Sequence, residues 1–351
     1  MRRLGSLADW RQRLDWRYLA RLLASLALTL LLVGLIFDLA GADPVAAFEA
    51  LIRGSLGNPL GVEQTIELGA ILVLAGLAVT IPARASLWNI GGEGQIFAGA
   101  LAAASVALKV TGPDPAIVML LALLAGLLAG AAVAAVAGAL RALTGANEVL
   151  TTLMLNFVIA LLTFYAITNW FPAAGIRGST PEIPRDVELP TLLGGDITSG
   201  VLLALACVVA AHVLLTRTRL GLTIRAVGAN PEAARHNGIR LGSVYTVSFA
   251  IGGAFAGLAG AIVVLGIDGL LARDFSPGYG FVGIAVALLA RSRPLLVVPA
   301  AALFSIVTVG GSYLESAVGL SADVALVIQG TLLLLLLALW VIPPQRAAGV
   351  R

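Results

Sequence analysis

The chain has 351 residues, of which 59% are hydrophobic and 12% are charged, with a formal net charge of +3. A soluble domain carries about 25% charged residues, so this chain has too few polar side chains to cover a surface that faces water. The composition excludes a soluble protein and predicts an all-α, polytopic bundle of transmembrane helices without a soluble module. The placement of its arginines does not indicate a nucleic-acid site.

Ten apolar segments are candidates to cross the hydrocarbon core, which takes about 20 helical residues. They are 20–37, 66–83, 88–108, 116–140, 147–168, 199–216, 243–267, 278–291, 294–312 and 322–342. The eighth has about two-thirds of the required length, which also suits a half-helix or a re-entrant segment packed inside protein. The sequence therefore predicts about ten spans, or eight if two short segments do not cross. No small-residue cleavage site follows the first segment, so we expect a retained helix and not a signal peptide.

Arginine in the loops predicts how the bundle is oriented. Residues 1–19 and 217–242 each hold five arginines, whereas carboxylates dominate 38–65. With ten crossings, both termini and 217–242 are expected in the cytoplasm and 169–198 outside. The predicted organisation is a cytoplasmic segment 1–19, a membrane domain 20–342 with a cytoplasmic loop at 217–242, and a cytoplasmic tail 343–351.

Small residues recur four apart within the helices. Gly126 and Gly130 form one such pair, and Gly253 and Gly257 form another. This spacing lets helix backbones approach closely in lipid. It predicts tight packing inside the bundle in preference to a specific dimerisation surface, because the pattern is permissive.

A polar, glycine-rich stretch opens the third apolar segment. It runs Asn89-Ile90-Gly91-Gly92-Glu93-Gly94-Gln95. Glycine loosens a helix and allows close approach of a ligand or backbone, so one interpretation is a discontinuous helix beside a translocation path, with Asn89, Glu93 and Gln95 along it. The alternative is a helix start whose free N–H groups are met by Glu93.

A second polar stretch precedes the fifth segment. Asn147 is a good helix N-cap with Glu148 in the first turn, which predicts a structural cap, and the alternative is a place on the path. Asn156 lies deeper on the same helix. It can face a pore or bond a neighbouring helix, and the sequence does not choose between these.

The loop 217–242 contains the signals of a short capped helix. Asn230 is a good N-cap, Pro231 suits the first turn, Glu232 favours the N-terminal dipole and Gly238 is a C-terminal stop. A helix of about two turns is unstable alone. Held between spans it would form a docking element for a partner, and the alternative is a solvated connecting loop.

Four motifs, which follow one another along the chain at 89–95, 147–149, 225–238 and 278–289, resemble those of a known family. Glu232-Ala233-Ala234-x-x-x-Gly238 resembles the cytoplasmic loop by which ABC importer permeases dock on their ATPase, and 225–230, which begins at Arg225, resembles the branch for branched-chain amino acids, simple sugars and nucleosides. Residues 89–95 and 147–149 resemble its nucleoside and simple-sugar members. Gly278-Tyr279-Gly280-Phe281 through Leu289 resembles the family's late motif, although Ala290 and Arg291 follow where a Gly-rich turn is expected.

The resemblance covers about 65–342 and implies a binding-protein-dependent ABC importer permease. It implies three kinds of partner: an ABC ATPase subunit, a second permease subunit, identical or homologous, and an extracytoplasmic substrate-binding protein. ATPase coupling would involve Arg225, Asn230, Glu232, Ala233, Ala234 and Gly238. The implied location is the bacterial inner membrane.

The implied solute is small and neutral, a nucleoside before a simple sugar such as ribose or a branched-chain amino acid. The alternative of another class is an ion-coupled secondary transporter, for which Glu93 and Glu148 are the candidate carboxylates. The chain has no phosphate-binding loop with lysine, so we expect it not to hydrolyse ATP. His212 and His236 lack neighbouring ligands at metal spacing, so neither a metal nor a cofactor is expected.

Overall fold

The computed structural model describes residues 16–171, 178–192 and 195–321, together with 324, 326–328, 330 and 331. The predicted tail 343–351, most of the predicted N-terminal segment 1–19 and most of the predicted span 322–342 lie outside these ranges. Within them the regular elements are helices, and two isolated β-bridges pair loop residues, Ser179 with Ala272 and Thr191 with Thr198. The helices are α1 (Trp16–Leu39), α2 (Pro44–Leu56), α3 (Pro59–Ala83), α4 (Gly92–Lys109), α5 (Pro115–Thr144), α6 (Glu148–Asn169), α7 (Gly200–Arg217), α8 (Arg219–Ala229), α9 (Pro231–His236), α10 (Leu241–Ile262), which a π-helix continues over Val263–Ile267, α11 (Tyr279–Leu289) and α12 (Pro294–Val318).

Among the described residues, six helices are long and apolar enough to cross a membrane. They are α3, α5, α6, α7, α10 with its π-helical continuation, and α12 as far as Leu314. They coincide with six of the predicted segments, namely 66–83, 116–140, 147–168, 199–216, 243–267 and 294–312. The helical class predicted from composition is therefore confirmed. The predicted segments 20–37, 88–108 and 278–291 differ from a single long spanning helix, and 322–342 lies largely outside the described residues.

Contacts divide the described chain into two units. One unit combines the residues up to Gly61 with those from Ile306 onward. In it the second half of α1, Leu30–Leu39, bends by 110° into α2, so the pair is a broken span or a re-entrant loop. The rings of Phe37 and Phe48 meet edge to face with centroids 5.3 Å apart, which joins the two arms of the bend.

The larger unit, Val62–Ser305, is held together by a glycine-lined crossing of α5 and α10. A Cβ on Gly130 would collide with the carbonyl of Gly253, and a Cβ on Gly257 would collide with the carbonyl of Gly126. Both predicted pairs therefore lie in one contact inside the chain, which confirms the prediction of tight internal packing. Backbone-to-backbone contact of this kind is the main way in which helices gain packing energy in lipid.

The third predicted span differs from an uninterrupted helix. The segment 88–91 is not helical, and α4 begins at Gly92. After α3 ends at Ala83 the chain turns and runs back beside it, because the Asn89 side-chain amide donates to the carbonyl of Ala78 at 3.1 Å. Ala78 lies about 7–8 Å before the end of α3. The helix α4 thus starts well inside the unit, in agreement with the predicted discontinuity.

The helix α11 is a half-helix, which is one of the alternatives that the sequence left open for 278–291. Its 11 residues extend about 16 Å, roughly half of the hydrocarbon core. The loop before it enters the unit, because the Phe275 ring packs against Phe97 of α4 with centroids 4.8 Å apart. Both broken elements, α4 and α11, therefore begin in the interior.

The long segment between α6 and α7 packs against the end of α10. The amide of Ile183 donates to the carbonyl of Gly269 at 2.7 Å, and the amide of Thr180 donates to that of Leu271 at 3.0 Å. Of these two segments, 169–198 was predicted on the outer side. Their backbone pairing places them at the same end of the unit.

Candidate functional site

The non-helical stretch before α4 is held by a pair of amide side chains. Asn89 and Gln95 exchange two hydrogen bonds, at 3.0 and 2.9 Å, and each side chain is only 1% exposed. Asn89 also accepts a bond from the amide of Gly91 at 3.1 Å. Because unsatisfied backbone groups are costly in a membrane interior, these two residues make the break in the helix tolerable.

The helix α6 supports the same stretch from a second side. The side chain of Asn156 donates to the carbonyl of Ile90 at 2.8 Å and accepts from the amide of Gly94 at 2.8 Å. The hydroxyl of Thr152 accepts from the amide of Ile90 at 3.2 Å. Of the two roles that the sequence left open for Asn156, the bond to a neighbouring element is the one observed in this conformation.

Glu93 joins the two broken elements. Its carboxylate accepts a bond from the Ser276 hydroxyl at 2.6 Å and one from the amide of Gly280 at 2.7 Å. Gly280 is in the first turn of α11, so the carboxylate caps α11 and not the helix α4 on which it resides. An anion at a helix N-terminus is stabilised by the free N–H groups and by the helix dipole.

The two helix starts touch through glycine. A Cβ on Gly280 would collide with the backbone of Glu93 and Gly92. Glu93 is 8% exposed, so the contact excludes most solvent in this conformation. We call this meeting point of α4 and α11, with Gly92, Glu93, Ser276 and Gly280, the junction.

Asn147 and Glu148 do not belong to the junction. Asn147 caps α6 by accepting from the amide of Val149 at 2.9 Å. Glu148 lies 3.5 Å from the guanidinium of Arg141, at the end of α5. Four of the six predicted path residues, Asn89, Glu93, Gln95 and Asn156, are therefore brought together, and the other two form the α5–α6 turn.

The loop 217–242 contains two helices, of which the sequence analysis predicted one. The predicted short helix is α9, with Asn230 as N-cap accepting from the amide of Ala233 at 3.0 Å, and Gly238 follows it at φ +81°. The helix α8 before it was not predicted. Its buried residues Gly221, Ile224 and Val227 recur every third position, a signal that could have revealed it.

The exposed face of α9 contains one of the two alanines that were predicted to take part in ATPase coupling. Ala234 is 4% exposed and packs inside this chain, whereas Ala233 is exposed. Glu232 lies 3.2 Å from Arg235 in an exposed pair, and such a pair contributes about 0–1 kcal/mol. Of the two alanines predicted to approach a partner, Ala233 is therefore the one that faces outward.

The end of α8 is joined to the turn that precedes the junction. The Ser86 hydroxyl donates to the carbonyl of Gly228 at 2.8 Å. A Cβ on Gly228 would collide with the carbonyl of Arg84. A displacement of α8 and α9 would therefore pull directly on residues 84–86, which lead into the stretch held by Asn89.

Several contributors to this site were not among the predicted site residues. They are Thr152, Ser276 and Gly280, which bond the broken stretch or meet it, and Ser86 and Gly228, which join α8 to the turn. Pro277 and Gly278 just before a short apolar helix were the available signal for a second helix start. In the described ranges, no group of three or more His, Cys, Asp or Glu side chains could hold a metal ion.

Comparison with known families gives one match over most of the chain. Residues 61–337 match the model of the family described as branched-chain amino acid transport system, permease component. The matched range contains the junction, α8 and α9.

Three characterised relatives are similar over most of their own length. The glucose ABC transporter permease protein TsgB13 of Haloferax volcanii is 38% identical over 84% of this chain and 80% of that protein. The nucleoside ABC transporter permease protein NupB of Lactococcus lactis is 31% identical, covering 80% of each chain. The guanosine ABC transporter permease protein NupP of Bacillus subtilis is 31% identical over 86% of this chain and 87% of that protein.

Proposed function

This chain belongs to the family of permease components of branched-chain amino acid transport systems, and we propose that its junction forms part of the path along which a small neutral solute crosses the membrane. It is a multi-pass membrane protein and the permease subunit of an ABC importer, so a partner subunit hydrolyses the ATP. The observation that carries the proposal is the hydrogen bonding of Glu93 to the start of α11. Transporters typically build their sites where discontinuous helices begin near the membrane midplane.

The buried amides act on this path by holding its shape. In the described conformation Asn89, Gln95 and Asn156 bond to one another or to the chain's own backbone. Their proposed role is to fix residues 87–91 so that Glu93 reaches α11. Opening of the junction would expose backbone groups and a carboxylate to a passing solute, which could then form hydrogen bonds there.

Coupling to ATP hydrolysis is proposed to pass through α9 and α8. A partner ATPase that engages the exposed face of α9 would move α8, with which it is continuous through Asn230. The contact of Gly228 with Ser86 and Arg84 would pass that movement to the turn and so to the junction. The hydrogen bond between Ser86 and Gly228 joins residues 142 positions apart in sequence, which gives the coupling a tertiary basis.

The proposed assembly has the composition that the family implies in general. It comprises this permease, a second permease subunit, an ATPase and an extracytoplasmic binding protein, in the bacterial inner membrane.

We propose a membrane domain over 20–342 with about ten crossings, both termini in the cytoplasm, and 217–242 as the coupling loop. The Arg-rich end formed by α8, α9 and the α3–α4 turn supports this orientation.

Cysteine accessibility tests the orientation, because Cys207 is the chain's only cysteine. In a Cys207→Ala background, Asp186→Cys is expected to react with a membrane-impermeant maleimide in intact cells. In cells that lack the ATPase, which is proposed to cover α9, Glu232→Cys is expected to react only after permeabilisation. Both side chains are exposed, so a lack of labelling cannot come from burial in the chain. Labelling of Glu232→Cys in intact cells would contradict the proposed topology.

The proposed solute is a nucleoside. Residues 89–95 and 147–149 support this choice by their resemblance to nucleoside permeases, and two of the relatives are named for a nucleoside or for guanosine. The observation that favours a simple sugar as the second candidate is the higher identity, 38%, to the glucose permease. The spanning helices hold few charges, which favours a neutral solute of either kind.

Uptake assays decide between these solutes. Cells that carry the complete importer are expected to accumulate labelled guanosine or adenosine, with unlabelled nucleosides competing. Labelled glucose and ribose, and labelled leucine, serve as the comparison. Sugar uptake without nucleoside uptake would transfer the proposal to the second candidate, and uptake of leucine alone would contradict both.

A further inference from the structure

A basic cleft lies beside the end of α8, outside the junction. Its volume is about 370 Å³, and its eight lining residues contain three arginines and no aspartate or glutamate. The arginines come from three elements that are distant in sequence. Arg84 follows α3, Arg225 is on α8, and Arg291 is in the turn between α11 and α12.

The backbone around this cleft is unusual. Ser86, Arg291 and Ser292 have φ values of 59°, 55° and 49°, and they are the non-glycine residues of the described chain with positive φ. All three line the cleft. This conformation is uncommon outside glycine, and backbone strain of this kind is concentrated at ligand-binding and switch regions.

Positive charges in the cleft and beside it, at Arg293, repel one another. Burial, and then the positive charges of Arg225 and Arg293, lower the pKa of the Arg84 guanidinium from its usual value. Like charges held at this proximity favour an anion between them, since an anion relieves repulsion among all of them at once. A planar guanidinium binds phosphate oxygens in a bidentate manner.

We propose that this cleft binds the phosphate group of an anionic phospholipid from the leaflet that faces the ATPase. The cleft lies where α3 ends and α12 begins. The ends of membrane-crossing helices are at the depth of the lipid headgroups. Basic pockets between transmembrane helices on the cytoplasmic side bind anionic headgroups. A bound headgroup would bridge the α3–α4 turn and α8, and so would stiffen the contact between Ser86 and Gly228.

Ser292 provides the sharpest test, because a change there leaves every arginine in place. Asp and Asn both tolerate positive φ, so Ser292→Asp adds a carboxylate to the cleft while Ser292→Asn is its neutral match. The assembly with its ATPase would be reconstituted in nanodiscs of mixed phosphatidylcholine and phosphatidylglycerol. Native mass spectrometry then measures the phosphatidylglycerol retained. We expect Ser292→Asp to retain roughly fivefold less and Ser292→Asn to retain as much as the wild type.

A second pair of variants removes charge. Arg225→Gln is expected to lose phosphatidylglycerol as Ser292→Asp does, whereas Arg219→Gln, an exposed arginine of the same helix outside the cleft, is expected to keep it. Equal retention in all four variants would overturn the proposal. Loss of ATPase co-purification in Ser292→Asp with unchanged lipid retention would also overturn it, because the arginines would then serve a carboxylate of the ATPase.

Arginine modification separates the lipid from free phosphate. Phenylglyoxal labelling of Arg84 in the wild-type assembly would be mapped in three settings: phosphatidylcholine discs, the same discs with inorganic phosphate, and discs that contain phosphatidylglycerol. Protection by phosphatidylglycerol without added phosphate is the expected result. Protection by inorganic phosphate alone would overturn the assignment to a lipid.

Discussion

Glu93→Ala is expected to lower ATP-driven uptake by roughly tenfold or more while the permease still assembles with its ATPase. The change leaves the buried amide of Gly280 and the hydroxyl of Ser276 without their acceptor. An unsatisfied buried donor costs about 1–3 kcal/mol, and 1.4 kcal/mol corresponds to about a tenfold change in an equilibrium. The measurement is initial uptake rate in vesicles, normalised to the amount of assembled complex.

Two further variants keep this prediction specific to the junction. Glu93→Gln retains one acceptor oxygen but turns its NH2 group toward the other donor, so we expect an intermediate loss. Gly280→Val should abolish uptake, because any Cβ there collides with backbone that cannot move aside. Gly34→Ala is the control, since its Cβ would meet side chains at 3.7 Å or more. Normal uptake in Glu93→Ala and Gly280→Val would show that the junction is only a passive helix cap.

Ala233→Trp is expected to weaken docking of the ATPase by roughly tenfold or more. Ala233 is exposed on α9 and its side chain is not needed for the packing of this chain. A bulky side chain forced into a packed contact costs about 1–3 kcal/mol, which is the scale of a tenfold change. Co-purification of the ATPase with the tagged permease measures the effect directly.

The matched control for this prediction is Leu143→Trp. Leu143 is 84% exposed and lies in the last turn of α5, which the proposed ten-crossing topology places on the same side of the membrane as 217–242. Gly238→Val tests the turn after α9, because a β-branched residue resists the φ of +81° found there. Ala234→Trp would be less informative, since Ala234 is buried and the variant would disturb the permease itself. Undiminished co-purification with both Ala233→Trp and Gly238→Val would show that α9 is not the coupling element.

The sequence was sufficient for those features that depend on local chemistry. The six described helices that are long and apolar enough to cross a membrane follow from length and hydropathy. The helix α9 follows from Asn230, Pro231 and Gly238, and tight helix packing at the glycine pairs follows from small residues four apart. Each of these signals lies within one segment. Local propensity and capping therefore determine the element without knowledge of what packs against it.

The junction could not be predicted because its partners come from distant segments. The glycines and polar residues of 89–95 indicated a break in the helix, but periodicity does not say where the free N–H groups of a helix find their acceptor. Glu93 accepts a hydrogen bond from Gly280 of α11, which lies far along the chain, and Asn156 donates one to the carbonyl of Ile90. The burial of Ala234 could not be predicted for the same reason. It depends on tertiary packing, and the sequence does not distinguish Ala234 from Ala233.

The dependence of uptake on the ATPase tests the central claim most directly. Proteoliposomes would hold the permease with or without its cognate ATPase, with ATP available on the side of α9, and labelled nucleoside would be supplied with the binding protein on the other side. We predict accumulation only when both ATPase and ATP are present, and none from a proton or sodium gradient alone. Accumulation that an ion gradient drives in the absence of the ATPase would contradict the account.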